Sequence, residues 1–126
     1  MTNMKEIMEK RKHRRFQTQE RVYTAINNGS IKIGQIQNIS KGGLAFRYVA
    51  NREQVEGSYK VDIFATDNAF YLKNIPFKSI SDVYIDFEIP FSTTSLRQCG
   101  GQFGELTRIQ VSQLDYFIES YTISKA

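Results

Sequence analysis

Apolar and polar positions alternate with a period of two over most of this chain, and only near its end does the period lengthen. Residues 22–26 and 31–37 are two β-rich runs around Asn28-Gly29, a pair that favours a tight hairpin turn. Residues 44–49 and 59–65 read as third and fourth strands, and 70–72 and 75–78 as shorter pieces around Asn74. Residues 79–87 and 92–103 complete the set, with Pro76 and Pro90 expected at edges or turns because proline cannot donate to a ladder. Then Leu106, Ile109, Leu114, Phe117, Ile118 and Tyr121 follow the i, i+3, i+4 spacing of an amphipathic helix. Thr107 with Gln110 three residues on matches a capping box, which starts that helix near Arg108 and leaves its end near Tyr121. Residues 1–12 carry only a weak helical pattern through Met4, Ile7, Met8 and Arg11. Short strands at roughly 8–12-residue spacing closed by one helix predict a mainly β fold, a small antiparallel barrel of about six strands with a lid helix. A split sheet or a sandwich would use the same strands.

Length and composition narrow this picture to one globular domain: 126 residues, 40% apolar and 24% charged. A single cysteine, Cys99, leaves no intramolecular disulfide and no zinc site built from paired cysteines, and it fits a reducing compartment. No apolar run reaches the roughly 18–20 residues that span a bilayer. Lys5, Glu6, Glu9 and Lys10 interrupt anything that could serve as a secretory signal. The expectation is a cytoplasmic protein without membrane insertion.

The net charge of +4 matters because of where it sits. Lys5, Lys10, Arg11, Lys12, Arg14, Arg15 and Arg21 face only Glu6, Glu9 and Glu20 in the first 21 residues, and the rest of the chain is balanced. A concentrated basic block beside a neutral domain reads as a flexible anion-binding arm for nucleic acid, nucleotide or acidic lipid; a solvated tail is the plainer reading.

Catalytic chemistry finds little footing. His13 is the sole histidine, which removes multi-histidine metal sites and leaves one conceivable general base inside the basic block. Cys99 in a strand reads as a small buried hydrophobe, and Asp82, Asp86 and Glu88 as solvated strand charges. No phosphate loop, dinucleotide fold or metal loop occurs, so an enzyme is not expected and no cofactor is implied. Binding chemistry is better supplied. Arg11 and Arg15, four apart with Lys10, Lys12 and Arg14 interleaved, could aim two guanidinium forks at one ligand. Such a fork can read the O6/N7 edge of guanine, clamp a phosphate or stack on a base. Residues 38–43, Asn38-Ile39-Ser40-Lys41-Gly42-Gly43, offer an amide, a hydroxyl and two glycines, which is also a good inter-strand turn.

Taken together, Arg11-x-x-x-Arg15 followed some twenty residues later by Asn38-x-Ser40-x-x-Gly43 resembles the PilZ domain family. Phe16 after the second arginine, Gly43-Leu44 opening the next strand, and residues 96–103 before the helix fit the same pattern, over residues 10–122. The resemblance implies a six-stranded β-barrel that binds the bacterial second messenger cyclic di-GMP, with the arginines on an arm that wraps the ligand. It assigns Arg11 and Arg15 to guanine edges and phosphates, Asn38 and Ser40 to hydrogen bonds with a guanine, and Gly43 to loop shape. Lys10, Arg14 and Gly42 are further candidates. Lys10 stands where an arginine tends to accompany a stacked ligand pair, so one or two ligands per site are both open. The chain then divides into a leader (1–9), the PilZ-like domain (10–122) and a tail (123–126). It would act as a sensor that relays the signal to an unidentified effector protein. The alternatives are a PilZ-like protein adaptor that binds no nucleotide and, less favoured, a small barrel that binds nucleic acid.

Overall fold

The computed structural model describes residues 13–27, 31–50, 57–67, 70–85 and 95–125. Among these residues there are eight strands: β1 (Phe16–Thr18), β2 (Val22–Asn27), β3 (Ile31–Ile39), β4 (Gly43–Ala50), β5 (Ser58–Ala65), β6 (Tyr71–Tyr84), β7 (Ser95–Phe103) and β8 (Thr122–Lys125). The helix α1 (Arg108–Tyr121) lies between β7 and β8. Every pairing is antiparallel, and β2-β5-β6-β7-β4-β3 closes on itself through β2–β3 into a six-stranded barrel. Closure removes the free edges that an open sheet of this length would expose. The flexibility expected of the basic arm, together with Lys10, Arg11 and Lys12, falls on residues outside the described ones.

Alternation builds the core. Phe46 and Tyr48 of β4, Ile63 of β5, Phe77 of β6 and Cys99 of β7 all point inward and are buried. Thr24 is the polar exception on β2, and its hydroxyl donates to the Asp62 carbonyl at 2.8 Å, so its burial leaves no donor wanting. The expected capping box is present: Gln110 N–H donates to Thr107 Oγ1 at 3.1 Å, and Thr107 N–H to Gln110 Oε1 at 3.0 Å. The Gln110 amide also donates to the carbonyls of Lys73 and Asn74, which anchors the first turn to β6. Further along, Leu114, Phe117, Ile118 and Tyr121 are buried, with the Phe117 ring 5.1 Å from Phe70. Ile109, expected on that apolar face, is 72% exposed, because the buried stripe begins only at Leu114.

Three further departures have physical causes. The pieces expected at 70–72, 75–78 and 79–87 are one 14-residue strand, because bulges absorb the irregularities. Asn74 takes a left-handed φ of 59°, with its N–H held by Asp62 Oδ1 at 2.9 Å, and the ladder continues past it. Pro76 is inside β6 rather than at an edge. Its carbonyl accepts from Gly104 N–H at 2.8 Å, and a strand residue's carbonyl and N–H point the same way. Its missing donor therefore faces the side where the β7 ladder has just ended, not β5. Finally, residues assigned to a tail form β8, which pairs with β1 through Phe16↔Lys125 and Gln17↔Ser124.

Cys99 and Tyr59 share the interior near Ser79, whose hydroxyl lies 3.4 Å from the Cys99 sulfur. Burial is the main cause that pushes the thiol above its ordinary 9.0, and burial likewise pushes the Tyr59 phenol well above 10.0. Both groups bind their protons more tightly folded than unfolded. Their contribution to stability is therefore complete below about pH 9 and declines as rising pH ionises the unfolded chain. Thermal unfolding from pH 8 to 11 should show a midpoint that falls above pH 9, with a shallower fall for Cys99→Ala. A flat profile would contradict the burial argument.

Candidate functional site

The two sequence motifs lie some twenty residues apart, and one short ladder brings Arg15, the end of the first, to the second. Phe16 of β1 opposes Ile39 of β3, and Gln17 opposes Asn38. In an antiparallel pair this sets Arg15, just before Phe16, beside the turn that begins at Ser40, just after Ile39. The half-buried Phe16 ring packs on the core and fixes that register.

The turn itself is rigid. Ser40 N–H donates to the Gly43 carbonyl at 2.8 Å, while Ser40 Oγ accepts from Gly42 N–H at 3.1 Å and Gly43 N–H at 3.2 Å. One buried hydroxyl therefore satisfies two backbone donors. Its own proton has only a long 3.4 Å contact with the Gly43 carbonyl. Gly43 is required by its neighbour across the seam, since a Cβ there would lie 2.0 Å from the Gly101 carbonyl oxygen.

Directly opposed residues share a face of the sheet, so the registers draw the site floor. Gln17 opposes Asn38, Asn38 opposes Ala45, Ala45 opposes Gly100, and Gly100 opposes Ser81. Leu44 and Phe46 flank Ala45 and point inward, so this row of small and amide side chains is on the outer face. One flanking row runs Gln35, Arg47, Gln98, Val83; the other runs Gly43, Gln102, Lys78. Above this floor opens a cleft of about 680 Å³, within the usual range for a small-molecule site.

Arg15, Ser40, Gly42 and Gly43 line the cleft. Asn38 stands one strand away, half-buried beside Ala45, which does line it. Arg14 is exposed and does not line it, and Lys10 and Arg11 lie outside the described residues. The structure adds lining residues that the motifs do not contain, His13 among them, which the sequence offered only as a conceivable general base. His13 packs its ring over Gly42, closely enough that a Cβ on Gly42 would come within 2.5 Å of it. Gln98, Gly100, Ser81, Ile80 and Val83 form the floor and far wall. Only the Gly100-Gly101 pair left a signal in the sequence, as a spot where something approaches the backbone of a strand.

Beneath the floor, on the inner face, Asp82 accepts from the Tyr48 hydroxyl and from Arg97 Nε at 2.8 Å, and its carbonyl accepts from Arg97 Nη2 at 3.0 Å. This pair, with side chains 6% and 15% exposed, ties β6 to β7 where their outer faces carry Ser81, Val83 and Gln98. At the rim, Lys41 of the turn lies 3.9 Å from Asp115 of α1. Among the described residues no group of three His, Cys, Asp or Glu side chains is arranged to hold a metal.

No family model matches the sequence, and no curated protein matches it. Solved structures do. The PilZ domain of YcgR from Escherichia coli, determined with c-di-GMP, superposes with a TM-score of 0.69 at 15% identity, over 90% of this chain and 92% of that one. The fold is PilZ-like. MrkH of K. pneumonia in complex with c-di-GMP gives a TM-score of 0.67 at 13% identity, and its apo state gives 0.63 at 15%. The PilZ-like chain spans about half the length of MrkH, 52% in the complex. Among the described residues of this PilZ-like barrel, no helix is long and apolar enough to cross a membrane.

Proposed function

We propose that this chain is a receptor for cyclic di-GMP, bound in the outer-face cleft between the basic arm and β4, β7 and β6. The observation that supports it is the β1–β3 register, which sets Arg15 beside the Ser40–Gly43 turn on a fold shared with proteins solved holding that ligand. Arg15, joined by Arg11 from the arm, reads guanine edges and phosphates, with Lys10 and Arg14 adding positive charge. Asn38 hydrogen-bonds a guanine from the β3 side. The Ser40 hydroxyl proton, weakly held at 3.4 Å, is the group it can turn toward a guanine acceptor, while its lone pairs keep the turn. Gly42 and Gly43 keep the floor low enough for close approach. The reading assigns no catalytic step. Binding changes the surface around the arm, which an effector protein in the cytoplasm then recognises.

A ligand seated against Arg15 covers the backbone at residues 10–15, where Lys10, Arg11, Lys12, Arg14 and Arg15 are all trypsin sites. Saturating cyclic di-GMP should therefore slow tryptic cleavage there. Equal cleavage with and without ligand would remove the arm from the site. Salt separates this reading from nucleic-acid binding. A dinucleotide with two phosphates allows a log–log slope of about −1 to −2, whereas an arm neutralising about five DNA phosphates gives about −4. Tight DNA binding with the steep slope, and no competition by cyclic di-GMP, would overturn the receptor reading.

A further inference from the structure

Gln98 lies on the cleft wall, and Arg47, its direct cross-strand neighbour, lies behind it outside the cleft. Arg47 Nε–H donates to Gln98 Oε1 at 3.2 Å. A guanidinium has donors and no acceptor, so only the carbonyl end of the Gln98 amide can face it. The amide's NH₂ end is thereby turned away from Arg47, and it donates to no group among the described residues. A side-chain amide is normally ambivalent, offering a donor or an acceptor according to its flip. Here the protein has fixed the choice.

We infer that Gln98 is a base-discriminating residue, held by Arg47 as an obligate hydrogen-bond donor toward the cleft. This rests on the cyclic-dinucleotide reading above and deepens it. Guanine presents two acceptors, O6 and N7, on its exposed edge, whereas adenine presents N7 beside the N6 amino donor. A fixed donor favours the first edge and meets a like donor at the second. Arg47 is a positioning residue that acts only through the amide. The neighbouring Val83 and Gly100 offer no side-chain polar group that could satisfy the alternative flip.

The test measures affinities of the full chain for cyclic di-GMP and cyclic di-AMP in four forms: wild type, Gln98→Ala, Arg47→Met and Arg47→Lys. These side chains stand on the outer face, Arg47 exposed and Gln98 half-exposed, and matching thermal midpoints verify folding. A neutral hydrogen bond contributes about 0.5–1.5 kcal/mol, roughly two- to twelvefold in affinity. Gln98→Ala should lower the guanine-to-adenine ratio by about that factor, mainly through weaker cyclic di-GMP binding. Arg47→Met, which frees the amide to flip, should lower the ratio while cyclic di-AMP affinity stays level or rises. Arg47→Lys keeps a donor behind the carbonyl and should restore most of the ratio. Wild type that binds cyclic di-GMP, with the same ratio in all four forms, overturns this inference and leaves the receptor reading standing. Wild type that binds neither dinucleotide overturns both.

Discussion

Gly43→Ala should lower the thermal midpoint by about 10 °C and abolish measurable ligand binding. The added Cβ meets the Gly101 carbonyl oxygen at 2.0 Å and the Gly101 carbonyl carbon at 3.0 Å, so backbone rather than a pliable side chain must move. Overpacking of this kind costs about 1–3 kcal/mol, and a domain of this length loses several degrees per kcal/mol. Relief requires β4 to separate from β7 at Leu44↔Gly101, the seam that carries the floor. It also pulls Gly43 from Ser40, which breaks the 2.8 Å backbone bond and the hydroxyl-to-amide bonds that shape the turn. Conformational strain is not the cause, since Gly43 is not among the glycines with positive φ. The same substitution at Gly42 is the control for sterics alone. The nearest atoms to its Cβ belong to the His13 ring, the far end of a side chain that can swing aside, so the midpoint should move by less than about 3 °C. Equal losses at the two glycines would refute the seam argument.

Asp82→Ala should be costlier still, about 3–5 kcal/mol, although it touches no ligand. Removing the carboxylate takes away the oxygen that accepts from Arg97 Nε at 2.8 Å, where the guanidinium is only 15% exposed, and the oxygen that accepts from the Tyr48 hydroxyl. A largely desolvated charge that has lost its counter-charge is the expensive part, rather than any large net worth of the pair. The double variant Asp82→Leu with Arg97→Met should therefore recover most of the loss. Urea unfolding of the single and double variants reads this as a coupling energy. A double variant no better than Asp82→Ala would mean that the triad supplies stability in its own right. Binding should weaken in the single variant, since Asp82 and Arg97 fix from within the β6–β7 segment whose outer face lines the cleft.

The legible parts of this protein are those where local chemistry decides. The period-two runs located the barrel strands to within a few residues, and Thr107 with Gln110 located the start of α1 because a capping box is made within one turn. The motif Asn38-x-Ser40-x-x-Gly43 was legible as a turn for the same reason. What escaped was set by distant partners. The two short strands β1 and β8 have little pattern of their own and exist because they pair with each other and because β1 pairs with the end of β3. The continuity of β6 through Asn74 and Pro76 depends on Asp62 and on where β7 stops. The site divides likewise. Arg15, Ser40 and Gly43 announced themselves by spacing, whereas Ala45, Ser81 and Gln98 become floor and wall only through a register that no local pattern states.

Calorimetric titration of the intact chain with cyclic di-GMP and cyclic di-AMP tests the central claim most directly. Two arginine forks and an amide suited to guanine edges should discriminate by about 1–3 kcal/mol for each good bidentate contact. The account predicts saturable cyclic di-GMP binding at least about tenfold tighter than cyclic di-AMP, with Arg15→Ala weakening it by about tenfold or more. No heat with either dinucleotide, or equal affinity for both and no effect of Arg15→Ala, would contradict it.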